Sequence, residues 1–170
     1  MTGLERNADV VNLVSYAPLF AHVDAWQWSP DLIWFNNLTS FGTANYYVQK
    51  LFSNNKGTNT VSIEQDKKPL TGQNGLYASA VIDKKSGELI VKIVNTSSGA
   101  QNKTIQIQTL SKPDSKALLT VLKDSKLAAM NTIDKPDAVK PVESEVPIKG
   151  KNAELLIAPY SVTVVKIKLN

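Results

Sequence analysis

LYASAVIDKKSGELIVKIV, residues 76–94, reads as two strands joined by a tight connection. Leu76 to Ile82 and Glu88 to Val94 flank Asp83-Lys84-Lys85-Ser86-Gly87, a short polar link with glycine at its end, which is the turn chemistry of an antiparallel hairpin. Working outward, Lys103-Thr104-Ile105-Gln106-Ile107-Gln108 places its apolar residues two apart, the signature of a half-buried strand, and Lys116 to Leu122 is another strand candidate. Ser161 to Leu169 carries apolar residues at 162 and 164 and then at 165, 167 and 169. That slip of phase between Val164 and Val165 predicts a bulge, or a strand passing from one sheet environment to another. Asn131 to Pro147 holds Pro136, Pro141 and Pro147 among charges and predicts a long surface connection. From Thr60 onward, short strands at close spacing therefore predict a mainly β fold, an antiparallel β-sandwich over residues 57–170.

The first 56 residues have another character. Ten of the twelve aromatic residues, including Trp26, Trp28 and Trp34 and every Phe, fall within the first 55 positions, whereas 17 of the 19 basic residues come from Lys56 onward. A break this sharp predicts a domain boundary near Lys56. Glu5 to Asn7 reads as the end of a short helix. Val10-Val11-Asn12-Leu13-Val14 is a nearly continuous β-branched apolar run, the pattern of a strand buried on both faces. A long stretch without helical or strand periodicity follows. Thr43 is then a good N-cap for a helix with Tyr47, Val48, Leu51 and Phe52 on one face, stopped by Asn54-Asn55-Lys56-Gly57. Strand, long loop and helix make one β/α unit, which cannot bury both faces of a parallel strand and so reads as part of a larger domain.

Composition removes several classes of function. With no cysteine and His22 as the only histidine, neither a disulfide framework nor a His-based metal site is expected. No apolar run reaches the roughly 20 residues that span a bilayer, and the opening MTGLERNADVV lacks the order of a signal peptide, so no membrane partner is predicted. The net charge of +4 comes from lysines that alternate with apolar residues or sit in polar loops, a solvated face without the interleaved aromatics of a nucleic-acid platform.

What remains is an aromatic stretch with carboxylates, in which Trp26, Trp28 and Trp34 read either as a cleft or as core, and Asp24 either as a site residue or as a solvated one. Flat rings stack on the apolar faces of sugars, and glycosidases place two carboxyl groups about 5–9.5 Å apart across the scissile bond. Asp24 and Asp31 flank Trp26 and Trp28 and invite that reading. Against it, Ser29-Pro30-Asp31 also reads as a turn or helix start in which Ser29 or Asp31 caps backbone groups. His22 reads either as a ligand contact or as a hydrogen-bonded structural residue. Trp34-Phe35, inside the apolar run Leu32-Ile33-Trp34-Phe35, is assigned to the core.

Three motifs in order carry a resemblance: Ser15-Tyr16-Ala17-Pro18-Leu19-Phe20-Ala21, then Trp26-Gln27-Trp28-Ser29-Pro30-Asp31-Leu32-Ile33-Trp34-Phe35-Asn36-Asn37, then Asn45-Tyr46-Tyr47-Val48-Gln49-Lys50-Leu51-Phe52. Over this stretch the sequence resembles the end of the catalytic barrel in α-L-arabinofuranosidases of glycoside hydrolase family 51. After Lys56 it is similar only in position and type. The resemblance implies a β-sandwich preceded by a terminal β/α unit left from a (β/α)8 barrel, with Val10 to Val14 as the eighth barrel strand and the segment after it on the rim that bears the site. It implies a retaining hydrolase acting on arabinan or arabinoxylan side chains, without cofactor, whose two catalytic glutamates lie on earlier strands. Glu5 matches neither. Trp26 and Gln27 match the part of the loop that borders the sugar pocket, with His22 and Asp24 beside them as further substrate contacts. A secreted or periplasmic parent is compatible with the resemblance.

The expected partners are an arabinose-containing polysaccharide or oligosaccharide, the remainder of the barrel and, through exposed apolar surface, a second copy of the chain in a homo-oligomer. The competing reading is a non-catalytic carbohydrate-binding β-sandwich, for which Tyr77 and Tyr160 make a thin stacking platform.

Overall fold

The computed structural model describes all residues 1–170. The chain opens with helix α1 (Thr2–Arg6), three short strands β1 (Phe20–His22), β2 (Ile33–Phe35) and β3 (Ser40–Gly42), and helix α2 (Ala44–Asn54). The remainder is β-structure: β4 (Asn59–Val61), the two-residue strands β5 (Glu64–Gln65) and β6 (Lys68–Pro69), β7 (Leu76–Asp83), β8 (Glu88–Asn95), β9 (Gln101–Gln106), β10 (Lys116–Lys123), β11 (Val142–Lys149), β12 (Asn152–Ile157) and β13 (Ser161–Lys168). Neither helix is long and apolar enough to cross a membrane.

The hairpin at 76–94 forms as its sequence predicts, with Leu76 opposite Asn95 and Asp83 opposite Glu88. The Asp83 carboxylate accepts from the amides of Lys85 and Ser86 at 3.1 and 3.3 Å and fixes the turn, and Gly87 at φ +66° closes it. Eight strands then join into one antiparallel sheet in the order β4-β7-β8-β13-β10-β11-β12-β9. The sheet curls on itself. Ala153, Leu155 and Ile157 of β12 and Ile148 of β11 meet Leu76, Ala78 and Ala80 of β7 and Val91 and Ile93 of β8 in one core, although these strands stand far apart in the sheet. Strand β11 makes the corner, pairing with β10 through Pro147 and with β12 only from Ile148. Pro147 therefore sits in a strand, where it gives up no ladder bond to β12.

Two expectations for this region change. The surface connection is shorter than predicted: β11 begins at Val142, and Asn131 and Val139 are buried within the preceding loop. Strand β13 contains no bulge, since its register with β8 runs unbroken from Ser161–Asn95 to Lys168–Glu88. The phase slip has another cause. Val165 and Ile167 face the inner core, while Val162 and Val164 face a second cluster with Leu51, Phe52, Val81, Ile90, Leu122 and Val139. A central strand covered on both faces needs apolar residues on both.

The second cluster is where α2 docks on the outer face of the sheet. Thr43 caps this helix, its hydroxyl accepting from the Tyr46 amide at 3.2 Å and donating to the Leu32 carbonyl at 3.0 Å. Leu51 and Phe52 are buried, and Tyr47 and Val48 pack at the cluster's edge. Loss of both hydroxyl bonds in Thr43→Ala is expected to cost about 1–2 kcal/mol, seen as a fall in melting temperature of roughly 2–8 °C; an unchanged melt would show that α2 is held by its apolar face alone.

The predicted strand Val10 to Val14 is not formed. Val10 ends the turn that follows α1 and residues 11–14 run as coil, with Val10, Leu13 and Val14 exposed at 71, 87 and 44%. A strand exists only through a partner, and nothing in the chain pairs with this run. The strands before α2 are instead β1–β3, with β1 parallel to β2 and β2 antiparallel to β3.

Helix α1 lies across β7 and β8 and corrects the reading of the lysines as a solvated face. Lys92 on β8 is fully buried. Its ammonium donates to Glu5 at 2.5 Å and lies 5.5 Å from the centre of the Phe52 ring, while the Ser79 hydroxyl donates to the other Glu5 oxygen at 2.5 Å. Arg6 donates to the Ala78 carbonyl at 2.7 Å. Glu5 is thus a structural counter-ion.

Candidate substrate-contact site

The small sheet β1–β2–β3 carries the aromatic loop. His22 ends β1 and starts a turn: its carbonyl accepts from the Ala25 amide at 3.2 Å, and its Nδ1 accepts from the Asp24 amide at 3.2 Å. An accepting Nδ1 carries no proton, so Nε2 is the donor of this imidazole, and it makes no hydrogen bond within the chain. The ring stands edge-on to Phe35 of β2 at 5.4 Å. Trp34 lies between Ala21 and Phe41 in the sheet, and Trp26 meets it edge-to-face at 6.0 Å. Trp26 remains 53% exposed, and Gln27 and Asp24 are exposed beside it.

The structure therefore brings His22, Asp24, Trp26 and Gln27 onto one turn-and-loop segment, without a hydrogen bond among their side chains. Trp34 and Phe35 are half-buried and stand outside both core clusters, so the assignment of this pair to the core gives way to a platform role under Trp26 and beside His22. Asp31 differs from expectation too. It caps nothing; the side chain is buried at 3% exposure and its Oδ2 has no hydrogen-bond partner. Exposed Asp24 and buried Asp31 do not line one open cleft, which removes the carboxylate pair suggested by their spacing.

Beside this sheet, α1, residues 11–14 and α2 border an open groove of about 570 Å³, lined by Leu4, Val11, Leu13, Leu32, Tyr46 and Phe52 among others. The apolar run misread as a strand forms one wall of it.

The family model for the α-L-arabinofuranosidase C-terminal domain matches residues 1–161. The chain belongs to this family. A probable α-L-arabinofuranosidase A of Aspergillus flavus is 37% identical over 96% of the chain and 25% of its own length. α-L-Arabinofuranosidase 1 of Arabidopsis thaliana is 30% identical over 95% of the chain and 24% of its own length. An extracellular exo-α-L-arabinofuranosidase of Streptomyces chartreusis is 57% identical over 81 residues, 45% of the chain and 10% of that enzyme. Among solved structures, an arabinose-bound α-L-arabinofuranosidase of glycoside hydrolase family 51 superposes on the whole chain with a TM-score of 0.88 at 33% identity, over 26% of its own length. The arabinofuranosidase of Thermotoga maritima in its arabinose complex shares the fold at a TM-score of 0.75 and 20% identity, over 97% of the chain and 36% of that enzyme. The chain thus spans about a quarter of the length of the Aspergillus and Arabidopsis relatives and corresponds to the C-terminal domain of this family.

Proposed function

We propose that this arabinofuranosidase domain serves a retaining hydrolase that removes terminal α-L-arabinofuranosyl groups from arabinan or arabinoxylan, and that it supplies substrate contacts and support rather than the catalytic carboxylates. Residues 1–56 are the last part of the barrel in this reading, and residues 57–170 are the sandwich that braces it. The observation that carries it is Trp26: an exposed indole held edge-on by Trp34, in the motif that borders the sugar pocket in the family. Its free face offers a stacking surface, with Gln27, Asp24 and the His22 Nε2–H as polar groups for sugar hydroxyls.

The apolar groove along residues 11–14 supports the same reading, because continuous exposed apolar surface marks a contact face. We place the rest of the barrel against it, with a second copy of the chain as the competing occupant.

In the enzyme that carries this domain with its barrel, Trp26→Ala is expected to raise KM for an aryl arabinofuranoside about tenfold, equivalent to about 1.4 kcal/mol, with a smaller effect on kcat. Steady-state kinetics checks this, and an unchanged KM would remove Trp26 from the site.

A further inference from the structure

The aromatic loop is joined to the sandwich by very little. Residues 7–43 make a single hydrogen bond to residues 57–170, the one from the Asn131 side chain to the Gly42 carbonyl at 2.8 Å. Asn131 is 3% exposed and uses its amide fully along this path: Nδ2 also donates to the Val139 carbonyl at 2.9 Å, and Oδ1 accepts from the Val139 amide at 2.7 Å. The paired bonds to Val139 tie off the loop between β10 and β11, and Val139 itself is anchored in the outer cluster with Phe52 and Val164. What faces the aromatic loop is therefore a rigidly held amide.

Gly42 is a sensitive place to hold. It joins β3 to α2, lies opposite Ile33 of β2, and has Tyr46 so close that a Cβ would stand 2.2 Å from the ring. One residue back, Phe41 pairs with Trp34, on which Trp26 rests. A nearby contact reinforces the junction, with the Tyr47 hydroxyl donating to Asp137 at 3.4 Å.

We propose that Asn131 is a positioning residue for the sugar-facing loop: it sets the small sheet, and through Trp34 the Trp26 indole, against the sandwich. The functional half of this inference rests on the reading of Trp26 given above; the structural half does not. Asn131 would then couple a loop of the accessory sandwich to substrate affinity, without touching substrate.

The test uses the 170-residue chain and its circular dichroism. Edge-to-face indoles at this separation give an exciton couplet, and Trp26→Phe sets the signal without the pair. Asn131→Ala is expected to lose at least half of the couplet at 25 °C while the β-sheet signal and its cooperative melt persist. Asn131→Asp keeps the acceptor for the Val139 amide and removes only the donated bonds, so it should behave alike. A couplet unchanged in both variants overturns the proposal. So does loss of the β signal in both, because Asn131 would then support the sandwich itself. In the enzyme with its barrel, Asn131→Asp should raise KM about as much as Trp26→Ala does, and the two changes together should add nothing further. A lost couplet with unchanged KM would leave the positioning role standing and reject the assignment of Trp26 to the sugar site.

Discussion

An aryl α-L-arabinofuranoside incubated with residues 1–170 alone is expected to remain intact, at the rate of the buffer control. Double displacement needs a nucleophile and an acid/base flanking one glycosidic bond, and losing either removes orders of magnitude of rate. Glu5, Asp24 and Asp31 each have another fate. Glu5 is spent neutralising Lys92, Asp31 is buried, and Asp24 stands exposed without a second carboxyl across from it. Chromophore release decides the matter. Turnover above buffer that disappears on Asp24→Asn or Asp31→Asn would place the chemistry in this domain and overturn the assignment of both catalytic glutamates elsewhere.

Glu5→Gln should produce a large loss of stability. It leaves the Lys92 ammonium inside the sheet–helix contact with a neutral partner, and breaking a buried pair from one side costs roughly 3–5 kcal/mol. A domain of this size should melt about 6–20 °C lower. The double variant Glu5→Gln/Lys92→Met should recover most of the loss, since an apolar side chain next to Phe52 needs no counter-ion. A melt unchanged by Glu5→Gln would mean that water reaches Lys92.

The pair also has a pH signature. Burial pushes the Lys92 ammonium below the ordinary lysine value of 10.5, against the opposing hydrogen bond and charge of Glu5. The folded chain then releases this proton at lower pH than the unfolded chain, so between the depressed folded value and 10.5 the unfolded state holds more protons and stability rises with pH. Relative to the double variant, the native chain should gain stability as pH climbs through that window. Glu5→Gln should extend the gain to lower pH, because the remaining upward pull is gone.

The contrast between Lys92 and the hairpin that contains it explains what was legible in the sequence. The turn at 83–87, the Thr43 cap and the alternation at 103–106 in β9 depend on residues a few positions apart, and each formed as read. Lys92 looked like one more solvated lysine because its counter-ion lies 87 positions away. Asn131 gave no signal at all, being one amide in a proline-rich loop that reaches across 89 positions to Gly42. The run Val10 to Val14 misled for the opposite reason: its composition is that of a strand, but pairing is a property of neighbours and these residues have none in the chain. At the candidate site Trp26 and Gln27 lie on an exposed loop, while the platform beneath Trp26 and the burial of Asp31 emerged only once Trp34 and Phe35 were placed in β2.

The central position of β13, between β8 and β10, bears on how the domain is made. During translation the hairpin β7–β8 is complete at Asn95, yet the neighbour that closes it does not begin until Ser161, and at about 5–20 residues per second the ribosome needs roughly 3–13 s to deliver it. Throughout that interval β8 presents an open edge and the uncovered side chains of Ile90, Val91 and Ile93. A chain cut at Ser161 lacks β13, keeps that edge and those side chains open, and should collect in inclusion bodies rather than as a shortened soluble product.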